Sequence, residues 1–295
     1  MIDFLTLGAI LNNIGETIVF LRQRGILATH YMCCGVMCSE VKSHSSDGFE
    51  FRCRACKSRY SARTGSFFYS SKLSLKKIVS VIFFFTKGIP SGKAADMMAK
   101  TLSRKSIEQW YLFLREVCSH ALIQNPFRLG GVNVVELDET CVGHLRKFNR
   151  GYQRGFHAWV FGLLDIGTKK CHLQIVDRRD RNTLFPIIQH HILPGSTIHS
   201  DEAAVYATLN QAGYIHHTVC HEDNFVNPDD GTHTNNIENL WANLKTKLRN
   251  GRGVREEHLP AHIDEFVWRW NHKGDDCLFD SFLNDLAVLY PVNEP

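Results

Sequence analysis

Three acidic residues stand where a carboxylate needs a reason. Asp138 lies in Val-Glu-Leu-Asp-Glu-Thr (135–140), inside an otherwise apolar strand pattern. A buried carboxylate there requires a partner or a metal. Asp201 follows Thr-Ile-His-Ser, at the carboxyl end of a second strand pattern, a position from which a side chain can face a cleft. Glu238 lies in Asn-Asn-Ile-Glu-Asn-Leu-Trp-Ala-Asn-Leu-Lys (235–245). Helical spacing places it on one face with Asn235, Trp241 and Ala242. Taken singly, each acid has an ordinary explanation as a solvated or paired side chain. Taken together they come from three elements around one sheet, which makes shared metal binding the better reading. Two divalent cations about 3.5–4 Å apart can activate a nucleophile and stabilise a leaving oxygen at a phosphodiester. Mg²⁺ (or Mn²⁺) suits carboxylate ligands, whereas His and Cys suit zinc. Glu136 shares the face of Asp138; Glu139 points the other way and is expected in solvent. Glu202 reads as a first-turn helix acid.

The cysteines offer a second chemistry. Of ten, five crowd between Cys33 and Cys56. The pattern Cys34-x3-Cys38-x14-Cys53-x2-Cys56 resembles a two-plus-two Zn²⁺ site. Its first half is irregular, so Cys33 and Cys34 both stand as the first ligand, with His30 a weaker candidate. A segment this polar, with few aliphatics, needs a metal to fold; the alternative is a degenerate ribbon that has lost its ion. The remaining cysteines read as small buried side chains.

Basic residues give a third signal. Arg52, Arg54, Lys57, Arg59 and Arg63 fall in or just after the cysteine segment, and Arg104 and Lys105 open a later helix. Such clusters suit phosphate contacts that position a protein on double-stranded DNA, although a solvated face is the commoner use of Lys and Arg. Arg249 and Arg252 follow the Glu238 helix, and Arg146, Lys147, Arg150 and Arg154 lie in a loop after the Asp138 strand. His199 and His233 flank the acids. Trp159 and Trp241 read as core.

The elements that must position these groups follow from periodicity. Residues 4–27 read as one amphipathic helix and 31–60 as hairpins held by metal. Helices are expected over 75–86, 92–100 and 104–122, the last capped by Ser103. This is either a helix-turn-helix-like region or a plain helical linker. Beyond Pro126 come strands at 131–140, 156–165 and 170–177, a helix at 182–192, a strand at 196–200, a helix at 203–211, a strand at 214–220, and helices at 235–248 and 259–271. Three meandering strands followed by strand–helix alternation is the RNase H-like order. The expected organisation is an N-terminal helix (1–30), a zinc ribbon (31–70), a helix-turn-helix-like region (71–125) and an α/β, RNase H-like catalytic domain with a mixed sheet flanked by helices (126–295).

Bulk properties fit. The chain has 295 residues, 44% of them hydrophobic and 22% charged, with a net charge of +4. This composition argues against disorder and permits nucleic-acid binding without demanding it. No apolar run reaches membrane-spanning length, so no membrane partner is expected. The N-terminus reads as a packed helix rather than a signal peptide, so the cysteines are expected reduced.

On these residues the chain resembles the Merlin group of eukaryotic cut-and-paste transposases and their bacterial insertion-sequence relatives. The carrying segments are 47–54, 63–68, 135–140, 198–202, 233–245 and 265–270, with thirty-six residues between Asp201 and Glu238. The resemblance implies that Asp138, Asp201 and Glu238 are the catalytic metal ligands. It also implies recognition of terminal inverted repeats, excision, and insertion into target DNA. Pairing two ends needs at least two subunits, so a homo-oligomer is expected. A eukaryotic host would place the protein in the nucleus, any other in the cytoplasm. The competing functional expectation is a host-retained or decayed relative that binds DNA without transposing.

Overall fold

The computed structural model describes residues 3–45, 47–143, 156–219, 234–250 and 254–292. The chain divides into two units, Met1–Ala121 with Gly274–Pro295, and Leu122–Lys273.

In the first unit the expected N-terminal helix is two helices, α1 (Phe4–Asn12) and α2 (Ile14–Gln23). The break is chemical. The Asn13 side-chain oxygen accepts the backbone N–H of Gly15 at 2.8 Å and so caps α2, a role that competes with helix continuation. The two helices bend by 118°, and among the described residues no single helix is long and apolar enough to cross a membrane. Next come short strands: β1 (Met32–Cys33) and β2 (Val36–Met37) form a hairpin, and β3 (Ser39–Lys42), β4 (Phe49–Arg52) and β5 (Arg59–Ser61) an antiparallel sheet. Three helices follow: α3 (Leu75–Thr86), α4 (Ser91–Met97) and α5 (Arg104–Gln124). Ser103 caps α5 by accepting the Ser106 N–H at 3.1 Å.

The second unit carries β6 (Val134–Gly143), β7 (His157–Asp165), β8 (Cys171–Val176), α6 (Arg181–His191), β9 (Thr197–Asp201), β10 (Ile215–Val219), α7 (Asn235–Asn250) and α8 (Leu259–Asn271). The sheet order is β10-β9-β6-β7-β8. β6, β7 and β8 form an antiparallel meander, while β9 runs parallel to β6 and β10 parallel to β9. This is the mixed α/β, RNase H-like order expected from the sequence. Between β9 and β10 the expected helix is only two 3₁₀ turns, Ala204–Tyr206 and Asn210–Ala212. One face of the sheet packs Leu137, Phe161 and Ile198 against α6. The other packs Val160, Leu164 and Leu173 against α7 and α8.

A further helix, α9 (Leu278–Leu289), was not foreseen. It belongs to the first unit because its buried Phe279 and Phe282 meet Phe83 and Phe85 of α3, at ring-centroid distances of 5.4 and 5.6 Å. Of the span 126–295 expected as one domain, residues up to Lys273 fall in the second unit and Gly274–Pro295 in the first.

His172 of β8 and His191 at the end of α6 stack with ring centroids 3.5 Å apart. Burial lowers the His172 pKa to about 4 and the His191 pKa to about 3. Both therefore fold as neutral rings. Stability from a His with a depressed folded pKa is complete above the unfolded value near 6.5 and is lost as pH falls through the folded value. The melting temperature should drop between pH 6.5 and 3, less steeply in His172→Leu. Parallel pH profiles for the two proteins would contradict this.

Candidate active site and metal centre

The sheet register brings the first two acids together. β6 and β9 pair in parallel through Glu136↔His199. Two residues further along each strand are Asp138 and Asp201. Register partners in neighbouring strands point to the same face, with strands about 4.8 Å apart. Both acids are half-buried. Asp138 Oδ1 accepts the Glu139 N–H at 2.8 Å, and Asp201 Oδ1 accepts the Ala203 N–H at 3.1 Å. His217 of β10 pairs with His199, their rings 5.7 Å apart, so both imidazoles sit on the Asp201 side of this face.

The third acid arrives on α7, and β6 docks that helix. Glu136 is fully buried. Its carboxylate accepts the Ile237 N–H at 2.7 Å and the Asn236 Nδ2 at 2.8 Å. A carboxylate at a helix N-terminus satisfies otherwise unpaired N–H groups and complements the helix dipole. Two residues along β6, Asp138 Oδ2 accepts the Trp241 indole N–H at 2.8 Å. Glu238, exposed, sits between these two anchors, one turn before Trp241. Gly162 is the β7 partner of Asp138. A Cβ there would come within 2.5 Å of Trp241 Cζ2 and 3.0 Å of Leu173 Cδ2. The missing side chain is what lets the indole lie flat enough to reach Asp138. Trp241 is in the core, as its spacing predicts, while its donor role depends on the fold.

Glu139 corrects another expectation. It is half-buried rather than solvated, and the Tyr206 hydroxyl donates to its carboxylate. Burial raises its pKa, the tyrosine hydrogen bond opposes this, and the charges of Asp201 and Asp138 add to the rise. Alternation along β6 puts it on the opposite face from Asp138, but Tyr206 covers that face here.

The three proposed metal ligands are not packed as tightly as a single-ion cage. Among the described residues, the only set of three or more such side chains with ligand atoms within 4.8 Å of one another is a cysteine quartet. A pair of ions about 3.5–4 Å apart, with oxygens about 2.1 Å from each, accommodates carboxylates spread over about 8 Å. An all-oxygen donor set on separate elements therefore fits Mg²⁺ or Mn²⁺.

The quartet is Cys33, Cys34, Cys53 and Cys56. Cys38, expected as a ligand, is buried beside Cys53 but is not among the sulfurs that lie within 4.8 Å of one another. The reason lies in the turn. Cys34 and Gly35 both have positive φ, 52° and 71°, which swings Cys33 and Cys34 toward the same point. The Cys33 sulfur lies 3.7 Å from those of Cys34 and Cys56. A tetrahedron with metal–sulfur bonds of about 2.3 Å has edges of about 3.8 Å, so these residues fit zinc. The Cys56 N–H points at Cys53 Sγ at 3.5 Å. Ser58 hydrogen bonds pull the Cys56 thiol down to about 6, while bonds with the Cys56 and Cys33 thiols push Cys34 up to about 12.

Of the basic residues, Arg52, Arg54, Lys57, Arg59, Arg104, Lys105 and Arg249 are exposed. Arg59 pairs with Glu50, and Arg104 with Glu108 at 2.7 Å. Arg63 is a correction: it is buried, holds Asp47 through two 2.6 Å bonds, and donates to the Ser71 and Leu73 carbonyls. Its guanidinium ties the ribbon to the following chain and does not face solvent. Arg146, Lys147, Arg150, Arg154, Arg252 and His233 lie outside the described residues.

No curated protein matches the chain. Among solved structures, the BIV integrase catalytic core is 16% identical, covering 46% of this chain and 82% of its own, with a TM-score of 0.32. The magnesium-bound HTLV-2 integrase core is 13% identical, covering 48% and 86%, at 0.28. The pre-cleavage Mos1 transpososome is 10% identical, covering 73% and 97%, at 0.30. Likeness this loose carries no argument about the reaction. The sequence match is more specific: residues 128–271, nearly all of the second unit, match the family of ISXO2-like transposase domains, over a stretch that holds Asp138, Asp201 and Glu238.

Proposed function

We propose that this chain is a DDE transposase of the cut-and-paste kind, resembling the Merlin group in its motifs and acting on double-stranded DNA at terminal inverted repeats and at a target. The observation that carries the reading is the docking of α7 onto β6. Buried Glu136 and the Trp241–Asp138 hydrogen bond hold α7 on the sheet face of Asp138, which supports reading Glu238, on that helix, as the third ligand with Asp138 and Asp201. Such an arrangement has little value to a protein that only binds DNA.

In this reading Asp138, Asp201 and Glu238 hold two Mg²⁺ or Mn²⁺ ions. Bound ions would supply Lewis acidity at the scissile phosphate and lower the pKa of the attacking water or 3'-hydroxyl. Trp241 fixes the Asp138 carboxylate so that its remaining lone pairs face the cleft. The cysteine quartet holds Zn²⁺, and the ribbon with α3–α5 carries DNA contacts through Arg52, Arg54, Lys57, Arg59, Arg104 and Lys105; Arg249 contacts DNA beside the acids. Pairing two ends calls for a homo-oligomer.

Asp138→Asn should bind repeat-bearing DNA as the wild type does yet fail to cut it in Mg²⁺ or Mn²⁺. Equal loss of binding and cutting would overturn this division of labour.

A further inference from the structure

Resting on that reading, we propose that the connection from β8 to α6 is a second DNA contact in the catalytic unit, with Arg178, Arg179 and Arg181 gripping backbone phosphates at the carboxyl edge of the sheet.

Topology puts this connection at the right end of the sheet. β6, β8, β9 and β10 all run the same way, so their carboxyl ends share one edge. Along that edge Cys141 pairs with Trp159, and Trp159 with Val176, the last residue of β8, on the α6 face of the sheet, opposite to the face of Asp138. Cys141 lies three residues past Asp138. At about 3.3 Å per residue and about 4.8 Å per strand, the connection begins roughly 14 Å from Asp138. That is about four base-pair steps along a duplex, at ~3.4 Å each.

The side chains are arranged to present charge. All three arginines are exposed. The Arg179 guanidinium carbon lies 3.7 Å from the ring centroid of half-buried Trp159, and that of Arg181 lies 4.6 Å from the ring of Phe185. A guanidinium stacked by its face keeps its N–H groups in the plane, directed outward, where a phosphate can take two at once. A rigid aromatic floor also limits the rotamers lost on binding.

The acid between Arg179 and Arg181 does not cancel this charge. Asp180 caps α6, accepting the Thr183 N–H and hydroxyl at 2.9 Å each. Its ion pair with Arg178 is 4.0 Å long and exposed, hence weak.

The test uses the full chain carrying Asp138→Asn, so that DNA is bound without being cut. Binding to repeat-bearing and to random-sequence duplexes is measured across a salt series, with and without Arg178→Ala, Arg179→Ala and Arg181→Ala together. Circular dichroism melting checks that the triple variant folds. Each lost phosphate contact should reduce the slope of log K against log salt by about 0.9, about 2.7 for three, equally on both duplexes. Arg179→Lys, which keeps the charge and loses the planar fork, should keep the slope and weaken binding at every salt concentration. An unchanged slope in the folded triple variant, or a loss confined to the repeat sequence, overturns the proposal while the transposase reading stands. If the otherwise wild-type chain neither binds nor cuts duplex DNA, both fall together.

Discussion

Replacing Cys53 and Cys56 together by serine should empty the ribbon of zinc, unfold it, and weaken binding to the repeat ends. Structural zinc sites contribute about 10–16 kcal/mol of apparent binding free energy at neutral pH, more than a segment with so little apolar core can lose. The geometry sharpens the expectation. Cys33 belongs to the quartet and Cys38 does not, so Cys33→Ser should lose zinc while Cys38→Ser keeps it. Metal analysis of the purified variants, with limited proteolysis of residues 30–62, reads both effects. A metal-free double variant with unchanged protease resistance and end affinity would show that zinc does not hold this segment.

Gly162→Ala should cripple the catalytic unit although the change adds one methyl group. The new Cβ would come within 2.5 Å of the Trp241 ring and has Leu173 on its other side. Overpacking of this kind costs about 1–3 kcal/mol. The larger effect is functional. If Trp241 moves, Asp138 loses its indole donor, and loss of a partner that orients a metal ligand typically costs about 10–100-fold in metal affinity or activity. Trp241→Phe separates the terms, because it keeps most of the packing and removes only the N–H. It should raise the Mg²⁺ concentration needed for half-maximal cutting with little change in melting temperature. A loss of stability with unaltered metal dependence would make Trp241 a core residue and nothing more.

The second unit was largely legible because its strands and helices repeat their apolar residues at periods of two and 3.6. Helix Leu259–Asn271 falls where expected, with a proline in its first turn, whereas strand Val134–Gly143 begins and ends three residues later than the expected 131–140. The position of Asp138 within β6 and of Asp201 at the end of β9 followed from that patterning. What was not legible depends on non-local packing. Nothing near Arg63 announces that Asp47 will bury it, and nothing in the cysteine spacing says that positive φ at Cys34 and Gly35 recruits Cys33 in place of Cys38. Alternation along β6 put Glu139 opposite Asp138 correctly, but only the fold reveals Tyr206 above it. The same holds for α9, whose apolar stripe was foreseen neither as a helix nor as a partner for α3.

The most direct test of the central claim is cleavage of DNA carrying the inverted repeats that flank the gene, by the purified chain with Mg²⁺ or Mn²⁺ and with Glu238→Gln alongside. Glu238 is exposed, so its replacement by the isosteric amide should leave folding and DNA binding intact. Metal-dependent cutting at the repeat ends is expected of the wild type and none of the variant. Cutting by both would remove Glu238 from the metal site. Tight binding without cutting by either would identify a DNA-binding protein that retains the fold of a transposase without its reaction.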